Sequence, residues 1–149
     1  EAGDADARAD LMLASLMCGH ATDFTGAGIA IPLGHAISAR FGLDNGLANA
    51  ILLPHVLRFN APAAQEGLEK LDRALSDPRA EGNTLTRVIG ALERMSGALA
   101  IAKRLRDVGI GRDALAGLAE VAAGDWFVRT NPRPVRGAAD LLQVLEEAW

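Results

Sequence analysis

The sequence is poor in aromatic residues: they make up 4% of 149 residues, and tyrosine is missing altogether. Half of the chain is nonetheless hydrophobic, so its core has to be built from Ala, Leu, Val and Ile. That composition favours closely packed helices over a sheet. A single cysteine, Cys18, excludes an internal disulfide. It lies in the apolar run LMLASLMCGHA, where a small buried thiol in a reducing cytoplasm is expected. No block of one charge is present. The 19 acidic and 15 basic residues, net −4, are interspersed, which argues against nucleic acid as the main partner. The longest apolar run, Ala48 to Pro54 with one Asn in it, is far shorter than the ~20 residues of a membrane span. The expectation is a cytoplasmic chain without membrane contact.

Motifs that announce chemistry are also missing. The sequence has no Gly-rich dinucleotide or P-loop signature, no cysteine pair for zinc, no HExxH and no GxSxG. No signal peptide is visible, because the first ten residues include Glu1, Asp4, Asp6 and Asp10 and no apolar stretch. The first residue is Glu rather than Met, and a cut upstream of Glu1 is expected.

Hydrophobic spacing of helical period is plentiful. It predicts helices over Asp4 to Thr25, from about Pro32 to Phe41, through Leu47, Ala50, Ile51, Leu53, Val56 and Leu57, and over Gln65 to Leu75. Further helices are predicted over Thr84 to Leu105, Asp113 to Ala123 and Ala138 to Trp149. Pro32 suits a helix start and Pro54 should kink its helix. Turn chemistry separates them at Gly42-Leu43-Asp44-Asn45-Gly46, Asp77-Pro78 and Glu81-Gly82-Asn83. Lys103, Arg104 and Arg106 would close the fifth helix at its negative end; the two arginines read as a solvated face. Asp107 to Arg112 reads as a Gly-rich loop and Gly124 to Pro134 as irregular. About seven helices, no strand and one all-α domain over 1–149 are expected, with a core of the size such a chain can bury.

Few residues stand out for chemistry. His35, on an Ala/Ile-rich helix, reads by itself as a hydrogen-bonded core histidine. His55, after Pro54, reads as fixing the backbone there, and His20 has no constellation around it. Trp126, Phe127 and Arg129 could line a pocket, or simply anchor the last helix.

The stretch Gly28 to Asn60, GIAIPLGHAISARFGLDNGLANAILLPHVLRFN, resembles the signature of the iron-containing, group III alcohol dehydrogenases. That signature is close to GLxHxxxHxxGxxxxxPHGxANAxLLPxVxxxN. Asn45 to Asn60 matches it almost position by position. RLRDVGIGRDALAGLA and TNPRPVRGAADLLQVLEEAW resemble later parts of the same family, so the similarity runs along nearly the whole chain.

The resemblance implies the helical C-terminal domain of a two-domain oxidoreductase. Intact members bind NAD or NADP in an N-terminal domain and hold a divalent metal, iron or zinc, in the cleft between domains. The nucleotide domain and the first metal motif would then lie upstream of Glu1, so no cofactor is expected for this chain alone. The two histidine ligands of the family fall on Ile31 and Asn45, neither of which is a histidine; Asp44 is the one carboxylate nearby. A further family histidine, close to substrate, matches His35. The resemblance therefore implies a substrate-side domain, inactive in isolation, with Trp126 and Phe127 bordering the pocket and His35 bonding substrate or relaying a proton. A degenerate association module, or one subunit of a split dehydrogenase, is the alternative. The expected partners are the missing nucleotide-binding domain, or a chain supplying it, and further copies of this chain.

Overall fold

A computed structural model describes residues 3–75 and 80–149. The expected Asp77-Pro78 break lies outside the described residues. Among those described, seven α-helices and no strand are present: α1 (Ala5–Thr25), α2 (Ala30–Phe41), α3 (Asn45–Asn60), α4 (Gln65–Leu75), α5 (Thr84–Ala98), α6 (Leu115–Ala123) and α7 (Ala138–Ala148). Short 3-10 segments fill the connections, among them Leu105–Val108 and Trp126–Thr130. The fold is all-α, as the aromatic-poor, Ala/Leu-rich composition implies.

The helices start where short polar side chains can take the free amides of a first turn. Asp4 accepts from the Ala7 N–H, Asp44 from Leu47 and Asn83 from Thr86, each at 2.9 Å. Helix α2 ends on Gly42, which is left-handed at φ 67° and sends its N–H to the Ser38 carbonyl at 2.9 Å. Of the turn expected over 42–46, only Gly42 adopts that conformation; Asn45 and Gly46 already belong to α3. Helix α3 runs through Pro54 without a break in its assignment.

The core is centred on α2 and α3. Helix α2 packs on α3 and α6, α7 packs on α6 and α3, and α5 joins α3 to α4. Ile29, Leu33, Ile37, Leu52, Leu115, Leu118, Leu141 and Leu145 are essentially closed to solvent. They recur three or four residues apart on their helices, the spacing that lays an apolar stripe along one face. Of the apolar positions predicted on α3, Ile51 and Val56 are buried, Leu47, Ala50 and Leu57 are half-buried and Leu53 is exposed, because Ala48, Leu52, His55 and Phe59 take the inner face.

Two expectations fail. Helix α5 ends at Ala98, not near Leu105, because Ala100 turns left-handed at φ 53° and Ile101 N–H returns to the Ser96 carbonyl at 2.9 Å. This is the usual stop of a helix, made here without the usual glycine. Lys103, Arg104 and Arg106 therefore do not cap it. Arg104 donates to the Glu147 carbonyl at 2.9 Å, and Arg106 lies over the Trp149 ring at 5.5 Å. The second failure is α1. None of its residues is buried, Leu11, Leu16 and Phe24 are more than 70% exposed, and Cys18 is exposed rather than a core thiol. Its apolar side chains are spread around the helix rather than gathered in one narrow stripe.

Candidate functional site

The site begins with the short link between α1 and α2. Gly26 and Gly28 both hold positive φ, 72° and 63°, which glycine adopts without steric penalty. At Gly26 there is also no room for a side chain, since a Cβ would lie 2.3 Å from the Thr130 Cβ. The link is strapped to the Trp126–Thr130 turn and its successor Asn131. Thr130 Oγ1 accepts from the Gly28 N–H at 3.4 Å and donates to the Phe127 carbonyl at 2.9 Å.

Asn131, buried, is the centre of this strap. Its Oδ1 accepts from the Ile29 N–H at 3.2 Å and from Asn60 Nδ2 at 3.1 Å, while its Nδ2 donates to Asn60 Oδ1 at 2.6 Å and to the Arg133 carbonyl at 2.7 Å. Arg133 continues onto α3, donating to the Phe59 carbonyl at 3.0 Å with its guanidinium 4.1 Å above the Phe59 ring. Buried amides are tolerated because every polar atom has a partner. The consequence is that the start of α2, the end of α3 and the aromatic turn are held as one unit.

His35 emerges from α2 beside that turn. Its side chain is 53% exposed, and Nδ1 stands 3.9 Å from Asp125 Oδ2. It is not the core histidine that its Ala/Ile-rich surroundings suggest. Asp125 also caps the turn, its Oδ1 accepting from the Phe127 N–H at 2.9 Å. Trp126 and Phe127 stack on each other with ring centroids 4.1 Å apart. Together with Thr130 they face the end of α1, Thr22–Gly26, across a groove of about 340 Å³. His35, Trp126 and Phe127 are thus brought to one region, with Asp125 as the link that sequence reasoning missed. The available signal was an acid immediately before a short aromatic pair, the pattern of a cap.

The other candidate positions behave differently. Ile31, one turn before His35, is half-buried hydrocarbon. Asn45 and Asn49, one turn apart on α3, have buried Oδ1 atoms with no hydrogen-bond partner among the described residues, as does Ser38 Oγ. Both amide oxygens press on Gly34, where a Cβ would sit 2.8 Å from Asn45 Oδ1 and 2.2 Å from Asn49 Oδ1. Asp44 is committed to capping α3. Among the described residues, no group of three His, Cys, Asp or Glu side chains converges as metal ligands would. The donor set at Ile31 and Asn45 does not fit the metal that the resemblance implies: one side chain has no lone pair, and the other is a neutral amide turned onto a glycine.

His55 lies elsewhere, in a pocket between α3, α5 and residues 102–104. Among the described residues it makes no bond to the backbone, against expectation; its Nδ1 stands 3.5 Å from an Arg58 nitrogen. Burial, reinforced by the positive charges of Arg58 and Arg104 and opposed by Glu147, lowers its pKa from 6.5 to about 4. His20 only meets Phe24 edge-on, centroids 5.1 Å apart.

An all-helical domain in which a glycine-linked α1–α2 junction presents a histidine beside an aromatic turn is the class that the fold and site define. Residues 1–149 match the model of the Fe-containing alcohol dehydrogenase family, C-terminal, and the chain belongs to that family as its C-terminal helical domain. Lactaldehyde reductase of Escherichia coli K12 is 30% identical over 152 residues, covering 99% of this chain and 39% of that protein. The probable alcohol dehydrogenase EutG of the same organism is 34% identical over 130 residues, 87% of this chain and 32% of that protein. The crystal structure of a 1,3-propanediol oxidoreductase superposes with a TM-score of 0.83 at 28% identity, covering 91% of this chain and 36% of that one. The chain spans less than two fifths of the length of each of these three. Among the described residues no helix is long and apolar enough to cross a membrane.

Proposed function

We propose that this chain forms the substrate-side wall of the cleft in an NAD(P)-dependent alcohol dehydrogenase-like oxidoreductase, with His35 as the residue that meets substrate. The observation that carries this reading is the half-exposed imidazole beside Asp125, next to the Trp126–Phe127 step. A histidine so placed can donate a hydrogen bond to an alcohol or carbonyl oxygen and pass a proton at that atom. Asp125, 3.9 Å from Nδ1, orients the ring. The aromatic step offers an apolar border for a short carbon chain. The substrate class suggested by the relatives, whose names refer to lactaldehyde, 1,3-propanediol and 1-propanol, is a small alcohol or aldehyde.

Ile31 and Asn45 stand where family members carry metal-binding histidines, so no step is assigned to a metal on this chain. The nucleotide comes from another domain or another chain. The 149-residue chain by itself should neither oxidise alcohols with NAD(P) nor retain stoichiometric iron or zinc; either result would overturn the reading. In the longest native protein that contains this chain, His35→Gln should lower kcat about 10²-fold. Unchanged kcat and KM would remove His35 from the role.

The uncovered apolar side chains of α1 favour a second role, association with further copies of the chain, since patches of that extent are seldom left in water. Sedimentation would record concentration-dependent dimers, and Leu16→Asp would weaken them. A monomer at all concentrations refutes that role.

A further inference from the structure

The pocket at His55 is apart from the His35 region and is built for a different ligand. It encloses about 190 Å³, with Ala50 and Pro54 of α3 forming part of its wall. Around it stand His55, Arg58, Lys103 and Arg104, with Ser96 and a single carboxylate, Glu93. In a chain of net charge −4, this is a local excess of positive charge inside a concave surface.

The groups are only partly engaged with one another. Glu93 stands 3.7 Å from Arg58. Arg104 uses one nitrogen on the Glu147 carbonyl and keeps its other donors. Lys103 has no ion-pair partner among the described residues. Arginine has no acceptor to offer, so in the neutral tautomer that accepts from Arg58 at 3.5 Å the His55 Nδ1 is unprotonated and Nε2 is the ring's donor. Pro54 adds a polar feature of the opposite kind. Having no N–H, it leaves the Ala50 carbonyl without its helical donor, an acceptor able to take a hydrogen bond from a ligand hydroxyl.

We propose that this pocket binds a compact phosphate group, free or as a small monoester, with Arg58, Lys103 and Arg104 as its charged ligands and His55 as a further hydrogen-bonding group. Planar guanidinium groups match the paired oxygens of phosphate, while the lysine acts as a mobile point charge. Among the described residues no Phe or Trp lines the pocket, so the site recognises the oxyanion rather than a base. With the pocket empty, burial first, then the charges of Arg58 and Arg104, oppose protonation of His55, and Glu147 favours it. A bound dianion adds negative charge on the side that favours protonation. Lys103 and Glu93 also face the pocket from neighbouring segments and contribute with opposite signs.

The test is a titration of the 149-residue chain with inorganic phosphate at fixed ionic strength, followed through the imidazole proton resonances, which are few enough to assign with His55→Gln. Phosphate should shift the His55 signals saturably, raise the pH at which they titrate, and bind more weakly by at least ~10-fold in Lys103→Gln combined with Arg104→Gln. Both side chains are exposed, so the variant is expected to keep the wild-type circular dichroism. A parallel titration with glycerol 1-phosphate separates the sources: tighter binding identifies a monoester, equal or weaker binding the free ion. Failure to saturate with phosphate, an equal response to chloride, or undiminished binding in a folded double variant would overturn the proposal.

Discussion

Truncating Asn131 to alanine tests whether the strap beneath the aromatic turn holds the site. The side chain makes four hydrogen bonds, and alanine makes none of them. The Ile29 N–H and both polar atoms of the buried Asn60 amide then lose their partner together. A buried polar group left without a partner costs about 1–3 kcal/mol. Water reaching the new space would recover part of that, so the expected loss is about 3–5 kcal/mol, large beside the ~5–15 kcal/mol of a typical domain. Urea denaturation followed by circular dichroism measures it, and a fall in Tm of about 10 °C or more should accompany it. Asn60→Ala should cost a similar amount, and the double variant much less than the two together, with a coupling of about 2 kcal/mol. A loss below about 1 kcal/mol that simply adds to that of Asn60→Ala would refute the reasoning.

Other consequences can be checked in the same assay. Gly34→Ala drives a methyl group against the Asn45 and Asn49 amides and should cost about 1–3 kcal/mol, most of it recovered by adding Asn49→Ala. Ala100→Gly, at the left-handed end of α5, should stabilise the chain by about 1 kcal/mol. Acid should weaken the fold in two stages. His55 titrates at 6.5 when unfolded and about 4 when folded, so the folded form resists protonation. Stability falls as pH drops from 6.5 to 4, by at most about 3 kcal/mol, and His55→Gln should flatten that interval. Asp140, held at about 2 by its hydrogen bonds from Arg136, contributes stability that disappears between its unfolded 3.8 and 2; Asp140→Asn should remove the second stage and leave the first.

Much of this architecture could be read from side-chain pattern. The apolar spacing of α7 reports burial because that helix has a defined inner face, and the turn residues at Gly42 and at Gly82-Asn83 mark where helices stop and start by their own chemistry. The end of α5 was illegible because an alanine takes the left-handed position that normally announces itself as glycine. Helix α1 was legible as a helix but not as an exposed one. Periodicity says which side chains need cover, and no property of Leu11 or Cys18 states whether a neighbour supplies it. In the candidate site, Trp126 and Phe127 could be flagged by type alone, whereas His35 gained its interest only from the motif it shares with a family. Asp125 and the Asn60–Asn131 pair escaped because their roles are set by contacts between residues far apart in the chain.

That separation also sets an order of events during synthesis. Asn60 precedes Asn131 by 71 positions and the start of α2 precedes it by about a hundred. At translation rates of about 5–20 residues per second, the α2–α3 pair waits on the order of 4–14 s after Asn60 is made before its partner exists. During that interval Leu33, Ile37 and Leu52 lack the α6 and α7 surfaces that later cover them, and His35 has no Asp125 beside it. The nascent chain is therefore exposed to chaperones and to self-association until α6 and α7 have been made. A stop codon placed ahead of Leu115 would yield a product that retains α2 and α3 but remains in that sticky, incomplete state, without α6 and α7.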